Sequence, residues 1–158
     1  MPPRPTLRPA GGALNRFALS ATMHCLSGCA VGEVLGMVIG AALGWSNGAT
    51  LALAVMLAFI FGHAFTMVPL LRMGLALGAA VRLALVADTA SVAIMEVVDN
   101  AVMLVAPGAM HAPLASGLFW GSLALALAIA AVAAFPVNRW LIARGRGHAV
   151  VHGCHGGH

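Results

Sequence analysis

Residues 23–45 read MHCLSGCAVGEVLGMVIGAALGW, an unbroken stretch whose only charge is Glu33. Its length is close to the ~20 residues that cross a hydrocarbon core of about 30 Å. Glycine returns at every fourth position, Gly28, Gly32, Gly36, Gly40 and Gly44, giving four overlapping GxxxG steps. Lipid offers no partner to a free backbone N–H or C=O, so such a stretch is expected to be a helix. A glycine row along that helix lets another backbone approach closely. Two readings stay open for the row: packing on a neighbour within the same bundle, or a face for self-association.

Three further apolar runs follow, at about 49–70, 83–106 and 116–138. Only 8% of the 158 residues are charged and 61% are hydrophobic, where a soluble domain carries about a quarter charged residues. The expected fold class is therefore all-α, an integral membrane four-helix bundle with a glycine-zipper first helix. Residues 1–16 form a Pro/Arg-rich arm, 17–142 the four-span domain and 143–158 a His/Cys-rich tail.

The arginines set the orientation. Arg4, Arg8 and Arg16 precede the first span, Arg72 and Arg82 bracket the second connection, and Arg139, Arg144 and Arg146 follow the last span. The connections at 44–50 and 107–115 carry no charge. The positive-inside rule then places both termini in the cytoplasm. Trp45 and Trp120 fall at the outer interface and Trp140 at the inner one, where amphipathic rings prefer to sit. A rival reading takes Leu26-Ser27-Gly28-Cys29 as a lipoprotein cleavage box. Against it, His24 and Cys25 interrupt the apolar run, and more membrane helix follows.

All four acidic residues, Glu33, Asp88, Glu96 and Asp99, fall inside the spans. A carboxylate there is costly and marks a functional position by default. Cys25, Cys29, Glu33 and Met37 form a second row at i, i+4 spacing beside the glycines, with His24 next to its inner end. On the third span Asp88, Met95, Glu96, Asp99 and Met103 share one arc of about 100°, flanked by Asn100. The second span adds His63. The bland alternatives are plain: an isolated buried cysteine is a small apolar filler, and a lone histidine in a helix is a hydrogen-bonded structural group.

The tail holds His148, His152, Cys154, His155 and His158 within a short stretch, a composition that suits a metal-loading arm. With three cysteines no disulfide framework is expected.

Three segments, HCLSGCAVGEVLGMVIG, ADTASVAIMEVVDNAVM and PVNRWLIARGRGHAVVH, resemble a bacterial inner-membrane family catalogued as a domain of unknown function. The likeness covers roughly residues 20–152 and implies a four-helix membrane domain with no assigned activity. The matched polar positions are His24, Cys25, Cys29, Glu33, Asp88, Glu96, Asp99 and Asn100. Small mercury transporters, which carry a cysteine pair in their first membrane helix, are a looser analogy of mechanism, with different cysteine spacing.

The leading expectation is a small inner-membrane transporter or metal-handling protein for a transition-metal cation, with proton coupling as an option. Cys25, Cys29, His24, His63, Met37, Met95 and the tail's His152, Cys154, His155 and His158 are the candidate metal ligands. Glu33, His63, Asp88, Glu96, Asp99 and Asn100 form the candidate pathway. Sulfur favours Cu⁺ while the carboxylates suit Zn²⁺ or other divalent ions, so copper and zinc both stay open. Two rivals remain. One is an interaction protein, a homo-oligomer or docking subunit built on the glycine row. The other is a redox subunit, with His24 and His63 on a haem. No hydrolase, kinase or dinucleotide motif appears, an enzyme is not the leading expectation, and no nucleic-acid partner is expected.

Overall fold

A computed structural model describes residues 11–144, and the tail ligands His152, Cys154, His155 and His158 lie outside the described residues. The described chain is helical: α1 (Gly11–Ala42), α2 (Asn47–Arg72), α3 (Leu77–Val105), a short 3-10 turn (Ala109–His111) and α4 (Gly117–Ala143). Three of them, α1, α2 and α4, are long and apolar enough to cross a membrane, and α3 makes a fourth if its two bent halves count as one span.

The helix bounds follow from local chemistry. Helix α1 begins at Gly11, inside the stretch expected to be a Pro/Arg-rich arm, and ends at Ala42. Gly44 follows with φ +65, the left-handed conformation in which glycine ends a helix at no steric cost. Gly74 does the same after α2, with φ +84. Ser116 caps α4, its side chain accepting the Phe119 N–H at 3.2 Å. The 32 residues of α1 extend about 48 Å, longer than a hydrocarbon core of about 30 Å.

Helix α3 bends by 47° between Val86 and Asp88. The Thr89 hydroxyl donates to the Leu85 carbonyl at 2.6 Å, the kind of i−4 back-bonding that bends helices. The bend lies where hydropathy starts the third span late, while the helix itself begins at Leu77.

Helices α1 and α2 make the most extensive contact, α3 packs on α4, and α1 also packs on α4. The glycine row explains the first pairing. A Cβ on Gly28, Gly32 or Gly36 would run into the backbone at Phe61–Gly62, Leu57–Ala58 or Ala54 of α2, and one on Gly40 into the Thr50 side chain. Of the two openings left by the sequence, these four glycines take the intrachain one. Gly44 is not part of the row: nothing lies within 4 Å of its Cβ position, and its role is to end α1.

The core is arranged in three layers along the bundle. The middle layer holds Cys25, Cys29, Ala58, Val92, Met95, Ala130 and Ala134. Toward the end carrying the α1–α2 and α3–α4 connections lie Met103, Ala109, Phe119, Leu123 and Ala126. At the opposite end Ala18, Ala21 and Ile142 pack with Leu14 and Phe135. Alanine dominates these layers, which brings the backbones close in the absence of a hydrophobic drive between helices in lipid.

Candidate functional site

The four acidic residues are brought to the interior. Glu33 (4% exposed), Asp88 (1%), Glu96 (4%) and Asp99 (3%) are all buried. The pattern of the sequence carries them there, because Glu33 follows the buried row of α1 while Glu96 and Asp99 sit on the inward arc of α3. The Glu33 carboxyl lies beside those of Glu96 and Asp99. Neither oxygen of Glu33 or Glu96, nor Oδ1 of Asp99, meets a hydrogen-bond donor, arginine included. Two carboxyl groups can bond one another only when one carries a proton. Carboxyl groups this close and this buried repel one another when all are charged.

A cavity of about 240 Å³ opens at the end with the two charge-free connections and reaches down to Glu33 and Asp99. Met37, Asn100 and Met103 line its deeper part, and Trp45, Asn47 and Thr50 belong to its α1–α2 side. Leu114, Phe119 and Leu123 close the α4 side. Asn100 donates from Nδ2 to the Glu96 carbonyl at 2.8 Å.

On the other side of the carboxyls the row continues in sulfur. Cys29 lies beside Glu96, and Cys25 is within hydrogen-bonding reach of Asp88 and Ser91. Both cysteines are free and fully buried, with Met95 in the same layer.

The histidines are placed differently from the expectation. His24 is exposed and donates from Nδ1 to the Ser20 carbonyl of its own helix at 2.8 Å. A helix presents adjacent residues about 100° apart, so burial of Cys25 turns His24 outward. His63 is half-buried, donates from Nδ1 to the Phe59 carbonyl at 2.7 Å, and shares a hydrogen bond from Nε2 with Thr89 Oγ1 at 3.1 Å. Each ring thus bonds a carbonyl of its own helix, and His63 reaches α3 through Thr89. Among the described residues no three His, Cys, Asp or Glu side chains are arranged to hold a metal ion.

One buried polar contact was not anticipated from the sequence. Asn138 (3% exposed) donates from Nδ2 to Thr22 Oγ1 at 2.9 Å, and Thr22 passes its own proton to the Ala18 carbonyl at 2.9 Å. The signal was present, since an amide inside the otherwise apolar α4 needs a partner. Nearby, Arg139 Nε donates to Asn15 Oδ1 at 2.7 Å, so the start of α1 and the end of α4 are joined twice.

The model of one protein family, described as a domain of unknown function (DUF4396), matches residues 15–147. The chain belongs to this family. No curated protein and no solved structure shows a significant match. The DUF4396 region takes in the acid trio, both buried cysteines and the whole cavity lining.

Proposed function

We propose that this protein is a four-span membrane protein with both termini in the cytoplasm, and that it admits a cation from the outer face to the carboxyl trio Glu33, Glu96 and Asp99. The observation that carries this reading is a cavity bordered by Glu33 and Asp99, beside a buried group of carboxyl oxygens that have no hydrogen-bond partner. Burying a carboxylate at the centre of a membrane helix costs about 2.5–3.5 kcal/mol on insertion scales. Three together are tolerated only if protons or a cation neutralise them. Arriving cation and departing proton then exchange at one place, which is the chemical basis for proton-coupled movement.

A transition-metal ion is the cargo that the surrounding residues favour. Cys29 stands directly below the trio and Cys25 one turn further, beside Asp88, so an ion leaving the carboxyls meets thiol sulfur on its way inward. Copper and zinc are the two ions this mixture of sulfur and carboxylate suits. The histidines have no part in this path, and the tail beyond Arg146 would act as a separate loading arm. A homo-oligomer would have to form on a face other than Gly28–Gly40, since α2 occupies that row.

The test is elemental analysis of detergent-purified protein grown with mixed trace metals, full length, truncated after Arg146, and as Glu33→Gln. Metal that survives truncation and is lost in Glu33→Gln supports the reading. Metal lost with the tail and indifferent to Glu33→Gln removes it.

A further inference from the structure

Helices α1 and α3 present the same pair of side chains to the cavity. On α1 Glu33 is followed four residues later by Met37, and on α3 Asp99 is followed four residues later by Met103, and all four line the one cavity. Four residues of helix rise about 6 Å. Both helices run toward the end where the cavity opens, so each thioether stands one turn nearer the mouth than its carboxyl. Glu33 and Asp99 border this cavity and are more than nine-tenths buried, and both oxygens of Glu33 and Oδ1 of Asp99 have no hydrogen-bond partner.

What surrounds the carboxyls is sulfur on both sides. Met37 and Met103 lie toward the mouth, while Cys29, Cys25 and Met95 lie inward. A thioether is neutral, polarisable and a poor ligand for hard ions, which call for carbonyls, further carboxylates and water. A methionine that merely fills a gap is free to stand anywhere in the layer, whereas these two repeat one spacing on two facing helices.

We propose that the cavity selects a soft monovalent metal cation of the Cu⁺ class, received by the thioethers of Met37 and Met103 and neutralised by Glu33 and Asp99. This rests on the reading of the carboxyl floor as a cation site and names its cargo. The ion arrives as a free monovalent cation, bonds to the two sulfurs without change of oxidation state, and displaces one proton from the carboxyls.

Ag⁺ is the probe, because it shares the ligand preferences of Cu⁺ without its redox chemistry. Full-length protein carrying ¹³C-methyl methionine is titrated with Ag⁺ and, separately, with Zn²⁺, and the methionine methyl signals are followed by NMR. The Met37 and Met103 methyl signals are expected to move with Ag⁺ and not with Zn²⁺. The tail ligands compete for Ag⁺ but include no methionine, so the Met37 and Met103 methyl signals report the cavity. The double variant Met37→Leu/Met103→Leu conserves volume and is expected to raise the Kd for Ag⁺ at the cavity by about 10- to 100-fold, read from the Met95 methyl signal. Methyl signals that stay still with Ag⁺, while Zn²⁺ binding still depends on Glu33, would overturn the soft-cation assignment and leave the cation site standing. If neither ion's binding responds to Glu33→Gln, the site and its cargo both fall.

Discussion

Gly32→Ala adds one methyl group where the backbones of α1 and α2 approach closely. That methyl would overlap the backbone of Leu57 and Ala58, and a backbone cannot swing aside as a side chain can. The two helices must part, and the contacts at Gly28 and Gly36 loosen with them. Gly121→Ala places the same methyl on α4 where nothing lies within 4 Å. Both changes gain about 1 kcal/mol of helix propensity, so that term cancels between them. Only Gly32→Ala incurs overpacking, which costs about 1–3 kcal/mol, and the upper end applies because the obstacle is backbone. Gly121→Ala is expected to be neutral or stabilising by up to about 1 kcal/mol, and Gly32→Ala to be destabilising by about 2 kcal/mol net. Unfolding in mixed micelles at rising dodecyl sulfate, followed by far-ultraviolet circular dichroism, measures both. Equal stability of the two variants would refute the packing of the glycine row on α2.

Other outcomes follow from the same contacts. Asn138→Leu removes the donor to Thr22 in a buried setting, and should lower stability by about 1–3 kcal/mol in the same unfolding assay; Asn138→Leu combined with Thr22→Val should recover part of that loss. Glu33→Gln should leave stability within about 1 kcal/mol of the parent, since a buried carboxyl is replaced by a neutral isostere, while cation binding measured by calorimetry is lost. Val55→Trp fills space on the α2 side of the cavity and should reduce cation loading, with helicity by circular dichroism unchanged.

The helices were legible because lipid leaves a long apolar segment no other choice, and the apolar runs mark α1, α2 and α4 directly. Their ends were less so. Residues 11–16 are helical although Asn15 and Arg16 are polar, because Asn15 meets Arg139 across the bundle, a contact between residues far apart in sequence. The glycine spacing announced a close approach but not its partner, which the complementary small residues Ala54, Ala58 and Gly62 of α2 supply. Burial of Glu33, Glu96 and Asp99 was readable from hydropathy and helical phase. The cavity was not, for its walls include both uncharged connections and apolar residues of α2 and α4 that carry no local signal, among them Leu51, Val55 and Leu123. The hydrogen bonds of His63 to Phe59 and Thr89 were not legible, because the Thr89 partner lies on another helix.

Under the proposed function the carboxyl trio, of which Glu33 and Asp99 border the cavity, exchanges a cation for protons. Proteoliposomes holding the full-length protein and a pH-sensitive dye, with metal cation added outside, test it most directly when Glu33→Gln and Asp99→Asn are run beside the parent. The account predicts cation uptake with proton release in the parent, and loss of both in either variant with folding intact. Uptake and proton release that are equal in all three would contradict it.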